Sequence, residues 1–297
     1  MGGIAFERFQ DSCAHAASGA SGSAPSLELC SLDHRLPSWA LTVLEFPSGA
    51  VEARAIWCPP RRGLTSSASA SEVAGPGGDS SPDPFSSERA LRSVMRARRS
   101  MRHRILALGA DRMLTLTKRG KFPDLDSAWA SFRAFSRICT RFYGSRWAYV
   151  CVPELHADGT YHFHLAIKGF YSAGLLRRFW FRALGGRGNE RGEQTPGNID
   201  LSVPRKRRGG PIRCLARYMG KYMGKDLSAC VGGRRSYACS AGLRPSRTTR
   251  MRVPLSLGGT SAYAILSVLR ALYPRLRFSA RDWNVGVVSG VTVWSDA

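Results

Sequence analysis

The sequence predicts an α+β protein with a central antiparallel sheet and helices packed against it. Two features of the chain lead to this prediction. Predicted strands and amphipathic helices follow one another in an irregular order, without repeated strand–helix–strand units. Two β-prone runs are joined across Asp158-Gly159, which is a strong signal for an antiparallel hairpin. Hydrophobic residues make up 43% of the chain, which is enough for a buried core.

The N-terminal part, residues 1–85, is rich in Ala, Ser and Gly. The stretch 66–87, which overlaps the end of this part, cannot bury enough apolar area to offset the entropy of ordering. We therefore expect a disordered linker there and disorder in most of residues 1–85. Two β-prone runs within 40–58 flank Pro47-Ser48-Gly49 and predict a small hairpin. Such a hairpin would be only marginally stable by itself.

Residues 86–250 are expected to form the main domain, because helical and strand periodicities alternate along them. In order, they predict a basic helix from Ser87, a strand at 112–117, an aromatic-striped helix that ends at Gly144, two strands on either side of 156–160, a helix at 173–184, a strand at 198–203 and a basic loop at 204–213. The remainder, 251–297, contains an apolar helix at 261–273 and a strand-like end, which we expect to pack on the main domain.

The charge of the chain points to an anionic partner. Lys and Arg number 44 against 21 Asp and Glu, which gives a formal charge of +23, as expected for a nucleic-acid binder. The eight cysteines include no Cys-x-x-Cys pair, so we expect reduced thiols and no zinc ribbon. Neither a leader segment nor a run of about 18 apolar residues is visible, so we expect a cytoplasmic protein without a membrane partner.

Two histidines lie two positions apart in the second run of the predicted hairpin. His162 and His164 therefore project from one face of a strand. If the connecting loop has three residues with Gly159 in the left-handed conformation, Glu154 lies directly across from His162. A shift of one residue would place Leu155 there instead. One carboxylate and two imidazoles can hold a divalent ion with open positions, which suits catalysis better than structure.

A second motif, "ARYMGKYMGKDL" at 216–227, repeats Tyr-Met-Gly-Lys without a gap. On a helix, Tyr218 and Tyr222 share one side, and Lys221 and Lys225 form a similar pair beside them. Together with a metal, these residues suit phosphoryl transfer. A metal polarises a phosphodiester, a tyrosine oxygen attacks in line, and lysines balance the developing charge.

With these motifs, the chain resembles the rolling-circle replication initiators of the HUH endonuclease superfamily. The resemblance covers about residues 108–245 and rests on four blocks in order: "MLTLT" at 113–117, "VPELHADGTYHFHLAIKGF" at 152–170, "ARYMGKYMGKDL" at 216–227 and "RRSYACSAGL" at 234–243. It implies an RRM-like palm, in which the central antiparallel sheet carries the metal site and the tyrosine helix lies over it.

The resemblance also assigns roles to residues. His162 and His164 would ligate Mg²⁺ or Mn²⁺, with Glu154 as the third ligand. Tyr218 and Tyr222 would be alternate nucleophiles, each followed by a lysine three residues later. The enzyme would nick single-stranded origin DNA, keep a 5′-phosphotyrosyl link, and leave a 3′ hydroxyl as the primer.

The resemblance also implies partners. We expect single-stranded origin DNA as the substrate in the cytoplasm of a bacterial host. The chain has no GxxxxGK[ST] motif, so a host helicase is expected as well as a host polymerase. Contacts to the DNA backbone are expected from six basic residues: Arg205, Lys206, Arg207, Arg208, Arg213 and Arg217.

Two alternatives remain open from the sequence. A two-tyrosine transposase of the HUH superfamily would use the same chemistry. A non-catalytic module that binds single-stranded nucleic acid on an RRM-like sheet would explain the charge, with Tyr161 and Phe163 as stacking residues. The second alternative leaves the repeated Tyr-Met-Gly-Lys unexplained.

Overall fold

The computed structural model describes residues 37–59, 84–203, 210–225, 236–254, 261–285 and 288–295. These residues form two antiparallel five-stranded sheets and five helices, so the predicted α+β class is confirmed. The strands are β1 (Ser38–Glu45), β2 (Val51–Cys58), β3 (Arg112–Lys118), β4 (Tyr149–Leu155), β5 (Tyr161–Ile167), β6 (Gly197–Ser202), β7 (Ala238–Cys239), β8 (Arg247–Pro254), β9 (Phe278–Val285) and β10 (Val288–Ser295). The helices are α1 (Pro84–Leu108), α2 (Leu125–Tyr143), α3 (Ala173–Ala183), α4 (Gly210–Lys225) and α5 (Ser261–Leu272).

The first sheet has the strand order β6-β3-β5-β4-β7, and one of its faces is covered by α2 and α3. Side chains alternate along each strand, so this face receives Leu114, Phe163 and Leu165, which are all fully buried. Phe132 of α2 stacks on Phe163 with ring centroids 5.2 Å apart. The predicted aromatic stripe of α2 is therefore part of the core.

The opposite face of the first sheet is covered by α1 and α4. Val150 and Val152 of β4 are buried with Ile105 of α1 and with Leu215 and Met219 of α4. Glu154, two residues beyond Val152, belongs to the same face. The helix that carries the repeated motif therefore lies on the face that holds the predicted metal ligands.

The second sheet has the order β8-β1-β2-β10-β9, and α5 packs on one of its faces. The predicted hairpin at 40–58 is its β1–β2 pair, and residues far apart in the sequence meet in it, such as Ala55 opposite Val291. The hairpin gains stability because three more strands and a helix complete its core. The predicted linker at 66–87 falls outside the described residues as far as residue 83, and α1 begins at Pro84.

A buried carboxylate joins α1 to the second sheet. Glu52 of β2 forms an ion pair with Arg102, and its Oε1 atom lies 3.1 Å from Nε2 of His103. Burial by itself would raise the pKa of Glu52, but the hydrogen bonds and positive charges of His103 and Arg102 outweigh it and lower the pKa to about 2. This interaction fixes α1, which packs on the first sheet, against the second sheet.

Candidate metal centre and tyrosine helix

The β4–β5 hairpin sets the positions of the candidate metal ligands. Gly159 has φ +81°, and the loop is closed by a hydrogen bond of 2.9 Å from the N–H of His156 to the carbonyl of Thr160. This is the three-residue loop on which the pairing of Glu154 with His162 depends, and the two residues do pair across the strands. The predicted register is therefore confirmed.

Glu154 and His164 form the buried base of the site. The Nε2 atom of His164 lies 2.8 Å from Oε2 of Glu154, and both side chains are buried. Thr115, which faces His164 from β3, places its hydroxyl 3.3 Å from the other ring nitrogen, Nδ1. A metal-ligating imidazole is commonly held in this way, with its second nitrogen bound to a neighbouring polar group.

A third ligand candidate is His156, the first residue after β4. Its Nε2 atom lies 3.3 Å from the same Glu154 oxygen, and its side chain is 42% exposed. The ligand atoms of Glu154, His156 and His164 all lie within 4.8 Å of one another, so this set could hold a metal ion. One carboxylate oxygen and two imidazole nitrogens suit a divalent metal. The exposed side of His156 leaves the site open toward solvent.

His162 lies beside this set. Its ring centroid is 3.9 Å from that of His156, and its Nε2 atom is 3.5 Å from the Thr160 hydroxyl. Burial lowers the pKa of the His162 imidazole, and the charges of His156 and His164 lower it further. The structure thus groups Glu154 with His164 as predicted, keeps His162 adjacent, and adds His156.

Sequence reasoning missed His156 because it assigned residues 156–160 to the connection between the two strands. A usable signal was present, however. In a three-residue hairpin loop the residue directly before the loop still pairs with the opposite strand, as His156 does with Thr160. A side chain at that position can therefore lie beside Glu154 at the end of the hairpin.

The tyrosine helix α4 is held on the metal-bearing face by its apolar side. Ala216 and Met219 are buried with β4 and α1, whereas Tyr218 is 43% exposed and Lys221 is exposed. The side chains of Tyr222 and Lys225 lie outside the described part of the chain. Tyr218 therefore belongs to a helix that packs on the sheet face of Glu154, and its side chain is partly open to solvent.

The two predicted DNA contacts on α4, Arg213 and Arg217, both contact the second sheet. Arg213 donates a hydrogen bond of 3.0 Å to the carbonyl of Val51, and the Arg217 guanidinium lies 5.6 Å from the ring centroid of Trp294. Both arginines therefore connect α4 to the second sheet. The other four predicted DNA contacts, Arg205, Lys206, Arg207 and Arg208, lie outside the described residues.

In comparisons with known proteins, no family model, no curated protein and no solved structure matches this chain. Within the described residues, no helix combines the length and the apolar character needed to cross a membrane.

Proposed function

We propose that this protein is a metal-dependent endonuclease that nicks single-stranded origin DNA with a tyrosine nucleophile and thereby starts rolling-circle replication. The observation that carries the proposal is the position of the Glu154–His156–His164 set on the sheet face that also holds the helix of Tyr218. A buried carboxylate with two imidazoles, open on one side, fits a catalytic metal better than a structural one.

The proposed ligands are Glu154, His164 and an imidazole from the neighbouring pair His156 and His162. When bound there, Mg²⁺ or Mn²⁺ would supply positive charge to polarise the scissile phosphate. Thr115 would keep the His164 ring in its orientation through the contact of 3.3 Å with Nδ1. The hairpin loop would hold the third imidazole next to the carboxylate.

Tyr218 is the proposed nucleophile in the described part of the chain, and the sequence offers Tyr222 one helical turn later. In the reaction, a bond forms between the tyrosine oxygen and phosphorus while the bond from phosphorus to the 3′ oxygen breaks. The phenolic proton leaves to solvent, and the 3′ oxygen takes up a proton. Phenols ionise near pH 10, so attack at neutral pH needs positive charge nearby, which Lys221 on the same helix can supply.

The phosphotyrosyl link keeps the energy of the broken phosphodiester. A released 3′ hydroxyl can therefore attack the link and rejoin strands without ATP. The first 3′ hydroxyl would prime synthesis by a host polymerase, with a host helicase to open the duplex. A two-tyrosine transposase would share every chemical step, and it would differ in cutting transposon ends rather than a replication origin.

The non-catalytic module has less support. Phe163, one of its two proposed stacking residues, is fully buried against Phe132 and Trp129 and is inaccessible to a base. Tyr161, the other, is half-buried at the start of β5 and packs on the same core.

The test is adduct formation. The protein is mixed with labelled single-stranded DNA from its own replicon and Mn²⁺, and the products are separated on a denaturing gel. We compare the parent with Tyr218→Phe, Tyr222→Phe, the double variant and Tyr263→Phe, a control at an exposed tyrosine of α5. A metal-dependent covalent adduct should form with the parent and the control and disappear in the double variant. Tight DNA binding without any adduct would overturn the proposal in favour of a binding module.

A further inference from the structure

The second sheet has a strongly basic face on the side away from α5. Leu41, Ala53 and Val291 are buried under α5, so the alternate residues of these strands point to the opposite side. We call this opposite side the arginine face. It is defined by Arg54, Arg250, Arg252, Arg281, Trp283 and Thr292.

Three arginines form a row across this face. Thr42 of β1 pairs with both Arg250 of β8 and Arg54 of β2, and Thr292 of β10 pairs with both Arg54 and Arg281 of β9. Neighbouring strands are about 4.8 Å apart, so successive arginines in the row stand roughly 10 Å apart at their backbones. The row therefore presents positive charge at regular intervals over four strand spacings.

Acidic groups do not neutralise this row. Arg250 and Arg281 are exposed, and within the described residues neither forms an ion pair. The acid that the described strands contribute to this face is Glu52, which is buried and already paired with Arg102 and His103. The positive charge of the arginine face is thus available to an anionic partner.

A flat aromatic group lies beside the row. Trp283 covers Gly290, where an added side chain would collide with the indole ring, and its Nε1 atom donates a hydrogen bond of 3.1 Å to the Thr292 hydroxyl. The Arg54 guanidinium lies 4.6 Å from the ring centroid. Indole and guanidinium planes are the groups on which proteins stack the bases of single strands.

The basic surface extends beyond the sheet. A cavity of about 450 Å³ between α1 and residues 243–245 is lined by Arg96, Arg99 and Arg104, among others. Burial lowers the pKa of Arg54, and the charge of Arg99 lowers it further, so the two guanidinium groups lie near each other. The charge of Arg99, which lines the cavity, therefore acts at Arg54 of the arginine face.

We propose that the arginine face is a binding surface for single-stranded DNA, on a different sheet from the metal centre. Phosphates bind at Arg250, Arg54 and Arg281, and a base stacks on the layer formed by Trp283 and Arg54. A sheet face with a stacking group suits an unpaired strand, whereas a duplex hides the faces of its bases. The proposal rests on the proposed function only in taking DNA as the nucleic acid.

The test measures binding in EDTA, so that no cleavage contributes. Fluorescence anisotropy gives the Kd of the full chain for a labelled oligothymidylate of about 20 nucleotides and for a duplex of equal length, over a range of salt. Arg250→Ala/Arg281→Ala is compared with Arg133→Ala/Arg137→Ala, which removes the same charge from exposed positions on α2. The first variant should weaken single-strand binding roughly tenfold at low salt and reduce the salt slope by about 1.4, whereas the control should keep the parental slope.

Equal losses in the two double variants would overturn the proposal, because the effect would then follow net charge alone. A loss confined to the duplex would also overturn it, since the face would then bind paired DNA. The binding comparison remains valid even if the parent forms no covalent adduct. That result would overturn the proposed nicking activity but not the proposed binding surface. Conversely, if the parent nicks DNA but the salt slope of Arg250→Ala/Arg281→Ala equals the parental one, the proposal for the arginine face is overturned and the proposed nicking activity stands.

Discussion

The Nε2 atom of His164 lies 2.8 Å from Oε2 of Glu154, although the two residues are not directly opposite each other in the hairpin. His164 pairs with Val152, and Glu154 pairs with His162, so the contact runs diagonally between adjacent strands. Long side chains reach each other across such a diagonal. The contact depends on the register, which Gly159 sets through its positive φ of 81°.

Replacing His164 by Ala is expected to remove most of the metal affinity, because it deletes the buried nitrogen of the site. Isothermal titration with Mn²⁺ measures this affinity directly. Thr115→Val, which keeps the ligand but removes its hydroxyl partner, should cost about 10- to 100-fold. Parental affinity in His164→Ala would contradict the proposed site.

The neighbouring imidazoles of His156 and His162 distinguish two possible ligand sets. The distances group Glu154 and His164 with His156, whereas the sequence resemblance implies His162 in its place. We expect His156→Ala and His162→Ala each to weaken Mn²⁺ binding, because one ring lies 3.3 Å from Glu154 and the other packs against it at 3.9 Å. The same titration ranks them. Full affinity in His156→Ala would leave Glu154, His162 and His164 as the ligands, and unchanged binding in both would exclude an imidazole from the hairpin end.

Gly159→Ala is expected to destabilise the protein by about 1–2 kcal/mol, because an L side chain is strained at φ +81°. Urea unfolding followed by circular dichroism gives the free energy of unfolding. Gly174→Ala is the matched control, since that glycine is exposed inside α3 and an alanine there should stabilise by up to about 1 kcal/mol. An equal loss of unfolding free energy in Gly159→Ala and Gly174→Ala would contradict the prediction, because the loss would then not depend on the positive φ of the loop.

The buried ion pair of Glu52 predicts loss of stability in acid. The pKa of Glu52 is about 2 in the folded protein against an ordinary value of 4.5, so its contribution is complete above about pH 4.5 and is lost as the pH falls toward 2. Each pKa unit corresponds to about 1.4 kcal/mol, so the contribution amounts to a few kcal/mol. Urea unfolding between pH 5 and 3 should show a smaller pH dependence for Glu52→Gln than for the parent, while exposed Glu193→Gln should match the parent.

Local patterns predicted the β4–β5 hairpin, its register and the helix of Tyr218, because each depends on residues that are close in the sequence. The pairing of Ala55 with Val291 could not be predicted in this way. It joins strands more than two hundred positions apart, and their alternation alone does not identify a partner strand. The sequence therefore predicted a single central sheet and not the second one.

The site was predictable to a similar degree. Glu154, His162 and His164 lie inside the two predicted strands, whereas His156 was assigned to the connection between them, although it continues the alternation of Glu154. Arg213 was predicted to contact DNA because of its charge, and charge alone does not predict the hydrogen bond that its guanidinium donates to the carbonyl of Val51.

The placement of α4 between the sheets has a mechanical consequence. Arg213, near its start, is bound to the second sheet at Val51, while Met219, near its middle, is buried against the first. Tyr218 therefore lies on a helix that is held at two points, one in each sheet. Any tilt of one sheet relative to the other would shift α4 relative to Glu154 and His164. Under the proposed function, a DNA strand held on the second sheet would in this way change the position of the Tyr218 phenol relative to the scissile phosphate.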